Sequence, residues 1–337
     1  MATASYFGRN SFVGIGPEST YGTPAAEAAL TRPIISCTML RTVEKVARPH
    51  LQVSGVAGLR KAHYIAKDSS TGSLEIEATY DNVGYFLKAA LGAGATAADD
   101  GDASTPRVHT YTLGDVPIEG NTLFLQRGTS DNYERFEGVV INSMSCSVAS
   151  GEHMTMSFDL IGETSSSASG NARSDSPTLS FSDPSAENLV LHHHAGTLAY
   201  RSQTITLIDF EYSIENGLAE RMRLGSLNTK QPTQADFRNA SFTVTFETDD
   251  ATYQKFIADE EGDAVVTFNN GVTGANEREM KFSLNNAYIE SYTDEVSEAG
   301  LITASVTLRA QGDGTSGLAL GTSIEVKNAN TTPVQAG

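Results

Sequence analysis

The feature that most constrains this chain is a repeat of itself, because a fold built from duplicated units has to bury each unit's apolar face by the same device. Residues Ser73–Asp81 align with Ser241–Asp249 at an offset of 168, each an alternating apolar and polar segment that ends in Asp. Both copies then change to a helical period. Val83, Phe86, Leu87, Ala90 and Leu91 lie at i, i+3, i+4, i+7 and i+8, and Tyr253, Phe256 and Ile257 give a shorter version. Asp81 and Asp249 suit helix N-caps, and Gly92 suits a C-terminal stop.

A second match runs without a gap between Phe136–Leu160 and Leu284–Leu308 at an offset of 148, with Ile141 on Ile289, Ser143 on Ser291, Thr155 on Thr303, Ser157 on Ser305 and Leu160 on Leu308. The fall in offset, 168 − 148 = 20, assigns 20 extra residues to the first copy between its helix and its last hairpin. The stretch Gly92–Pro106, rich in Ala, Gly and Asp, is the expected insertion and reads as a mobile surface loop. Between the copies, Thr164–Pro184 holds eight serines and Pro177, too polar to form a core element. The expected organisation is an N-terminal arm over 1–30, a first domain over 31–163, a Ser-rich linker over 164–186, a second domain over 187–315 and a C-terminal tail over 316–337.

The second copy opens with Thr204–Glu215, which corresponds loosely to Ile34–Lys45, so each copy reads strand, long connection, strand, helix, strand, hairpin. The connections Ala47–Gly72 and Asn216–Ala240 are long for structureless loops and are basic. The first holds Arg48, Arg60, Lys61 and Lys67, and the second holds Arg221, Arg223, Lys230 and Arg238. A basic loop at the same place in both copies is a candidate contact with an acidic neighbour.

The alternating segments separate two faces, as a half-buried sheet requires. Leu74, Ile76 and Ala78 oppose Ser73, Glu75, Glu77 and Thr79. Met154, Met156, Phe158 and Leu160 oppose Thr155, Ser157 and Asp159. In the second copy Phe242, Val244 and Phe246 oppose Thr243, Thr245 and Glu247, and Ile302, Ala304, Val306 and Leu308 oppose Thr303, Ser305 and Thr307. No Lys or Arg stands on the polar side of these four segments, whereas an ordinary solvent face mixes signs.

With 337 residues the chain has room for two domains of ordinary size, and one large all-β domain stays open on length alone. No stretch approaches the roughly 18 consecutive apolar residues of a membrane span. Residues 1–16 contain Arg9 and Asn10 and no sustained apolar run, so they do not read as a secretory signal. Cys37 and Cys146 stand far apart in sequence, form no CxxC pair, and read as buried thiols. The formal charge is −18, which opposes a protein that grips nucleic acid through its phosphates. The charge is uneven: residues 1–67 carry eight Lys or Arg against Glu18, Glu27 and Glu44, which is +5 and leaves −23 for the remainder. That asymmetry permits head-to-tail docking.

Chemical sites are weak by comparison. His192, His193 and His194 are adjacent without a completing ligand set, and Asp259, Glu260, Glu261 and Asp263 lack the spacing of a calcium loop. Glu75 and Glu77 would need aromatic platforms to serve sugar hydrolysis, and the chain has no Trp. Gly217 and Gly225 make no phosphate-cradling motif, and neither GxSxG nor HExxH occurs. The expectation is a protein that is not an enzyme and uses no metal or cofactor.

The opening Val13–Pro24, the segment Gly72–Tyr80 before the helix, His109–Asp115, and the run Phe136–Ser143 followed by Phe158–Gly162 resemble, in that order, the tail tube or major tail proteins of long-tailed phages of the siphophage type, in their two-domain form. The repeat extends the likeness over most of the chain. The resemblance implies a mainly β fold with short helices, made of two tandem tail-tube-like β-sandwich domains whose sheets join edge to edge and close into a β-barrel channel on oligomerisation.

It further implies a homotrimer that forms a pseudo-hexameric ring, rings that stack into a hollow tube, and the basic loops as inter-subunit or inter-ring contacts. Glu75, Glu77, Thr155, Asp159, Thr243, Thr245 and Glu247 become candidates for the channel lining, where an acidic wall would let DNA slide without being held. The implied partners are further copies of the chain and the tail terminator, tape measure and distal tail or baseplate proteins. The implied location is the virion tail, with assembly in the bacterial host cytoplasm. A cell-surface or carbohydrate-binding β-sandwich adhesin is the alternative, and it would act as a monomer with an aromatic binding patch.

Overall fold

The computed structural model describes residues 11–25, 28–47, 63–81, 83–94, 106–114, 119–127, 133–165, 189–201, 203–248, 253–254, 256, 261–274, 276–295, 302–312 and 321–328. The period-two segments form strands throughout. The first part of the chain contains β1 (Phe12–Pro17), β2 (Leu30–Pro33), β3 (Ser36–Cys37), β4 (Leu40–Ala47), β5 (His63–Glu77), α1 (Gly84–Leu91), β6 (Gly92–Gly94), β7 (Arg107–Leu113), β8 (Asn121–Gln126), β9 (Tyr133–Val148), β10 (Thr155–Gly162) and β11 (Thr164–Ser165). The second contains β12 (Ala195–Tyr200), β13 (Gln203–Glu215), β14 (Leu218–Arg221), β15 (Lys230–Gln234), β16 (Asn239–Glu247), β17 (Gly262–Asn269), β18 (Glu279–Glu295), β19 (Thr303–Arg309) and β20 (Thr322–Asn328). His192–His194 form one 3-10 turn.

A central antiparallel sheet runs through both halves in the spatial order β4, β5, β10, β9, β13, β16, β19, β18, with β3 also on β5. The two halves meet inside this sheet at the β9–β13 ladder, where Val148 stands opposite Phe210 and Ser143 opposite Glu215. Outer layers cover its apolar side. One is β2–β1–β8–β9–β11, and the other is β13–β12–β17–β18–β20–β7–β6. Strands β9, β13 and β18 each belong to the central sheet and to an outer layer, so each must bend over between them.

The bend is made by the same device in each half. Against β8, two residues of β9, Glu137 and Gly138, face one, and against β17, Asn285 and Asn286 of β18 do so. Gly138 has φ 64° and Asn286 has φ 54°. Only Gly and, among the others, chiefly Asn and Asp enter the left-handed region at low cost, and a β-bulge here turns the strand. A carboxylate holds each bulge: Glu18 accepts the Gly138 N–H at 2.8 Å, and Asp263 accepts the Asn286 N–H at 3.0 Å.

The offset of 148 holds residue for residue. Thr155 stands opposite Ser147 as Thr303 stands opposite Glu295, and a further bulge falls on Asn142 in β9 and Glu290 in β18. The offset of 168 needs correction. Glu77 pairs with Thr155 and Glu247 with Thr303, so β5 and β16 correspond at 170. The same 170 relates Phe86 to Phe256, the buried helical residues of the two copies. A slip of two leaves both faces unchanged, which is why the sequence pattern did not expose it. Between its helix and its last hairpin the first copy is therefore a net 170 − 148 = 22 residues longer. Part of the expected loop is strand: Gly92–Gly94 pairs with β7, and β7 pairs with β20, so the insertion ties the first half to the last strand of the second. Residues 95–105 lie outside the described residues.

The ends of the chain also differ from expectation. The stretch read as an N-terminal arm contains β1, and the stretch read as a tail contains β20, whose place beside β18 matches that of β11 beside β9. Of the Ser-rich linker, Thr164 and Ser165 form β11, and 166–186 lie outside the described residues. Helix α1 is capped by the backbone of Val83 without a side-chain bond, so Asp81 is not its N-cap. Asp81 instead stands 3.4 Å from Arg278, and its carbonyl accepts from Arg32 at 2.7 Å. Gly92 is the C-cap at φ 92°, as its position predicts.

The apolar face of the central sheet packs on the outer layers and the helical residues. Phe86 stacks on Phe158 with ring centroids 5.2 Å apart, and Phe256 stacks on Phe246 at 5.3 Å. Phe210, Tyr212, Phe242, Phe268 and Phe282 interlock in the second half. Cys37 is half-buried, Cys146 is fully buried, and both are free thiols.

Candidate functional site

The polar face of the central sheet collects the residues singled out by alternation. Reading across the ladders, one row runs Glu77, Thr155, Ser147, Glu211, Thr243, Thr307, Ser291. The next runs Ser36, Glu75, Ser157, Ser145, Ser213, Ser241, Arg309. Asp159 continues below with Ser143 and Glu215, while Thr245 stands above beside Asp209 and Ser305, and Glu247 beside Thr303. Glu75, Glu77, Thr155, Asp159, Thr243, Thr245 and Glu247 thus share one face of one sheet that crosses both halves.

Strands β9 and β13 also contribute to this face. Asp209, Glu211, Ser213 and Glu215 alternate with Phe210, Tyr212 and Ile214, so the signal was present, but nothing in the pattern says that β13 lies next to β9. One cation does enter these rows. Arg309 extends β19 one residue beyond the expected segment and is neutralised by Glu290 at 2.6 Å. Hydroxyls pair along the face, with Ser143 donating to Asp159 at 2.7 Å and Thr38 and Ser73 in contact at 2.8 Å. A wall of hydroxyls and carboxylates of this kind offers no cluster of cations to a phosphate chain.

The second basic connection is a hairpin rather than a loop, and in the first Ala47 and residues 63–72 are strand, while 48–62 lie outside the described residues. The first extends β4 and β5 as a long ladder from Leu40 opposite Thr71 to Ala47 opposite His63. Arg48, Arg60 and Lys61 lie outside the described residues. The second is β14–β15, and it folds over the first half instead of reaching away from the chain. Asn216 Nδ2 donates to the carbonyls of Ala90 and Ile141 at 2.9 and 3.0 Å, the Leu218 N–H donates to Asn142 at 2.8 Å, and Thr229 donates to the carbonyl of Gly162 at 3.3 Å. Leu218 packs on Val140, Tyr21 and Ile161.

Most of the described basic candidates are consequently held within the chain. Lys67 pairs with Glu220, Arg238 donates to the Gly114 carbonyl at 2.6 Å, and Arg221 is half-buried in β14. Lys230 acts on the carboxylate of Glu163 beneath the hairpin. Arg223 alone of the described second-loop cations is exposed, beside Leu224, which is fully exposed. Below the hairpin, burial raises the Glu18 carboxyl above its ordinary range, against the lowering effect of its bonds from Gly138 and Gly22. Burial also raises Glu163, with Lys230 opposing.

Among the described residues no group of three or more His, Cys, Asp or Glu is placed to hold a metal ion, and His194 is instead in contact with the Tyr80 hydroxyl at 3.1 Å. Among the same residues no helix is long and apolar enough to cross a membrane. The family model described as "Phage tail tube protein" matches residues 8–310 of the chain. A comparison with curated proteins finds no match.

Proposed function

Because the chain belongs to the phage tail tube protein family, we propose that it assembles as a homotrimer into a pseudo-hexameric ring, that such rings stack into a hollow tail tube, and that the polar face of the central sheet lines a channel through which DNA passes into the host. The observation that carries this reading is the single sheet that crosses both halves with its hydroxyl and carboxylate rows on one side. A sheet of this kind closes into a barrel when its two outer strands find partners in neighbouring copies, and closure removes the open edges. Two sheet units per chain make three copies the number that gives six units.

The tube is a structural part of the virion tail, built in the host cytoplasm of a siphophage-type virus. Its further partners are the tail terminator, the tape measure and the distal tail or baseplate proteins. The exposed Arg223, together with Arg48, Arg60 and Lys61, makes the ring-to-ring contacts in this reading. DNA passes without specific binding.

Electron microscopy of the purified protein tests the proposal, with annular particles or short tubes bearing a central hole as the expected result. A monodisperse monomer at high concentration would contradict it. Substituting Glu75→Lys and Glu77→Lys should leave assembly intact and reduce infectivity, since cations in the lining would hold phosphate.

A further inference from the structure

The two halves of the chain already display the joint that a second copy would have to make. Within the chain, β9 of the first half has β10 on one side and β13 of the second half on the other. Its counterpart β18 has β19 on one side of Tyr288–Glu295 and, among the described residues, no strand on the other. Equally, β13 lies between β16 and β9, whereas its counterpart, the chain of β3 and β4, pairs only with β5 among the described residues. The counterpart relation is fixed by ladders. Cys37 stands opposite Leu74 and Leu40 opposite Thr71, as Phe210 stands opposite Val244 and Ser213 opposite Ser241, so β13 and β3–β4 correspond at an offset of 173.

We infer that β18 of one copy pairs antiparallel with β3–β4 of the next in the register of the internal β9–β13 joint, which sets Thr293 opposite Leu40 and Ser291 opposite Thr42. The inference rests on the ring reading above and gives it residue pairs. Transferring the internal pairs by 148 on one strand and by 173 on the other turns Ser145 opposite Ser213 into Thr293 opposite Leu40, and Ser143 opposite Glu215 into Ser291 opposite Thr42. The matching bulges at Asn142 and Glu290 remove any freedom in the first transfer.

The exposed residues agree with this placement. Leu40 is 59% exposed, and Thr42, Ser291 and Thr293 are exposed as well. All four stand on the side of the polar face, where Thr42, Ser291 and Thr293 continue it and Leu40 is an exposed apolar side chain. On the opposite face the internal joint buries Met144, Cys146, Tyr212 and Ile214. The intermolecular one would set Tyr292, half-buried against Phe256, opposite Arg41, which pairs with Asp68 within the chain, and the exposed Asp294 opposite Met39. The contact is heterologous, since each copy offers a different edge at its two ends, and such contacts build rings when the rotation closes.

Cysteine pairs test the register in the full chain, with Cys37→Ser as background. Directly opposed residues of an antiparallel ladder lie about 4.5–5.5 Å apart, within the span of a disulfide. A slip of two residues moves a partner about 7 Å along the strand and out of reach. The pair Leu40→Cys with Thr293→Cys should convert most of the assembled protein to covalent oligomers on mild oxidation. Leu40→Cys with Ser291→Cys, and Thr42→Cys with Thr293→Cys, should remain monomeric under denaturing conditions.

Rings in which a displaced pair cross-links and the matched pair does not would overturn the register. Rings without cross-links from any pair would overturn the choice of edges while leaving the tube reading in place. Absence of rings in the unsubstituted protein would overturn the tube reading and this inference with it.

Discussion

The two halves of the molecule share their ladders and both bulges, and they differ most where a strand meets no partner in the chain. In the second half β13 is one continuous strand with neighbours on both sides. In the first half the same length is broken into β2, β3 and β4, and it leaves Ile35 48% and Leu40 59% exposed. The break has a local cause. Tyr212 and Phe242, opposed in the second half, correspond to Met39 and Gly72 in the first. The backbone of Met39 lies so close to Gly72 that a Cβ there would stand 2.4 Å from the Met39 Cα. An interrupted strand is a poor template for uncontrolled pairing, and this is the edge that the proposed joint uses.

That comparison can be broken at the corresponding positions. Phe242→Ala removes a fully buried ring from the aromatic cluster, and large-to-small changes of this kind cost about 3–5 kcal/mol, read as a fall in thermal midpoint or denaturant midpoint. Gly72→Ala does the reverse at the equivalent site, forcing a methyl into backbone, and should cost about 1–3 kcal/mol. If both sites tolerated either residue, the two halves would be interchangeable there and the account of the broken strand would fail.

The bulges sharpen the likeness instead. Asn286→Ala should cost roughly 1–2 kcal/mol because a β-carbon without a compensating polar group is strained at positive φ. Asn286→Gly should stay within a few tenths of a kcal/mol by the same measurement, since glycine enters that region freely.

The acids beneath the second hairpin add a pH dependence to the first half. Burial raises Glu163 above its ordinary value of 4.5, so the folded chain keeps a proton that the unfolded chain has released. Stability from this group is full below pH 4.5 and declines as pH rises through the folded value. Glu163→Gln should flatten that decline in thermal midpoint against pH, and an unchanged slope would place the cause elsewhere. The smallest effect is expected at the partly exposed Lys67–Glu220 pair, where Lys67→Ala should change stability by at most about 1 kcal/mol.

Much of this architecture is legible in the sequence, for reasons that also explain the misses. Alternation separates Glu75 and Glu77 from Leu74 and Ile76 because strand side chains repeat every two residues. The same period hides a two-residue slip, so the matching Ser73 with Ser241 and Asp81 with Asp249 misled the alignment by two. Short strands escape because β11 has only Thr164 and Ser165, and its counterpart β20 sits in a polar stretch. Cations close in sequence suggested a loop reaching outward, but only the fold places Glu220 beside Lys67 and the Gly114 carbonyl beside Arg238. The junction of β9 with β13 is a long-range pairing with no local signal at all.

Helical reconstruction of assembled tubes by electron cryomicroscopy addresses the central claim most directly. The account predicts a hollow tube whose inner wall is the central sheet, with Glu75, Glu77, Glu211 and Glu247 facing the channel and α1 outside. A wall that turns this face outward, or places α1 in the lumen, would contradict it.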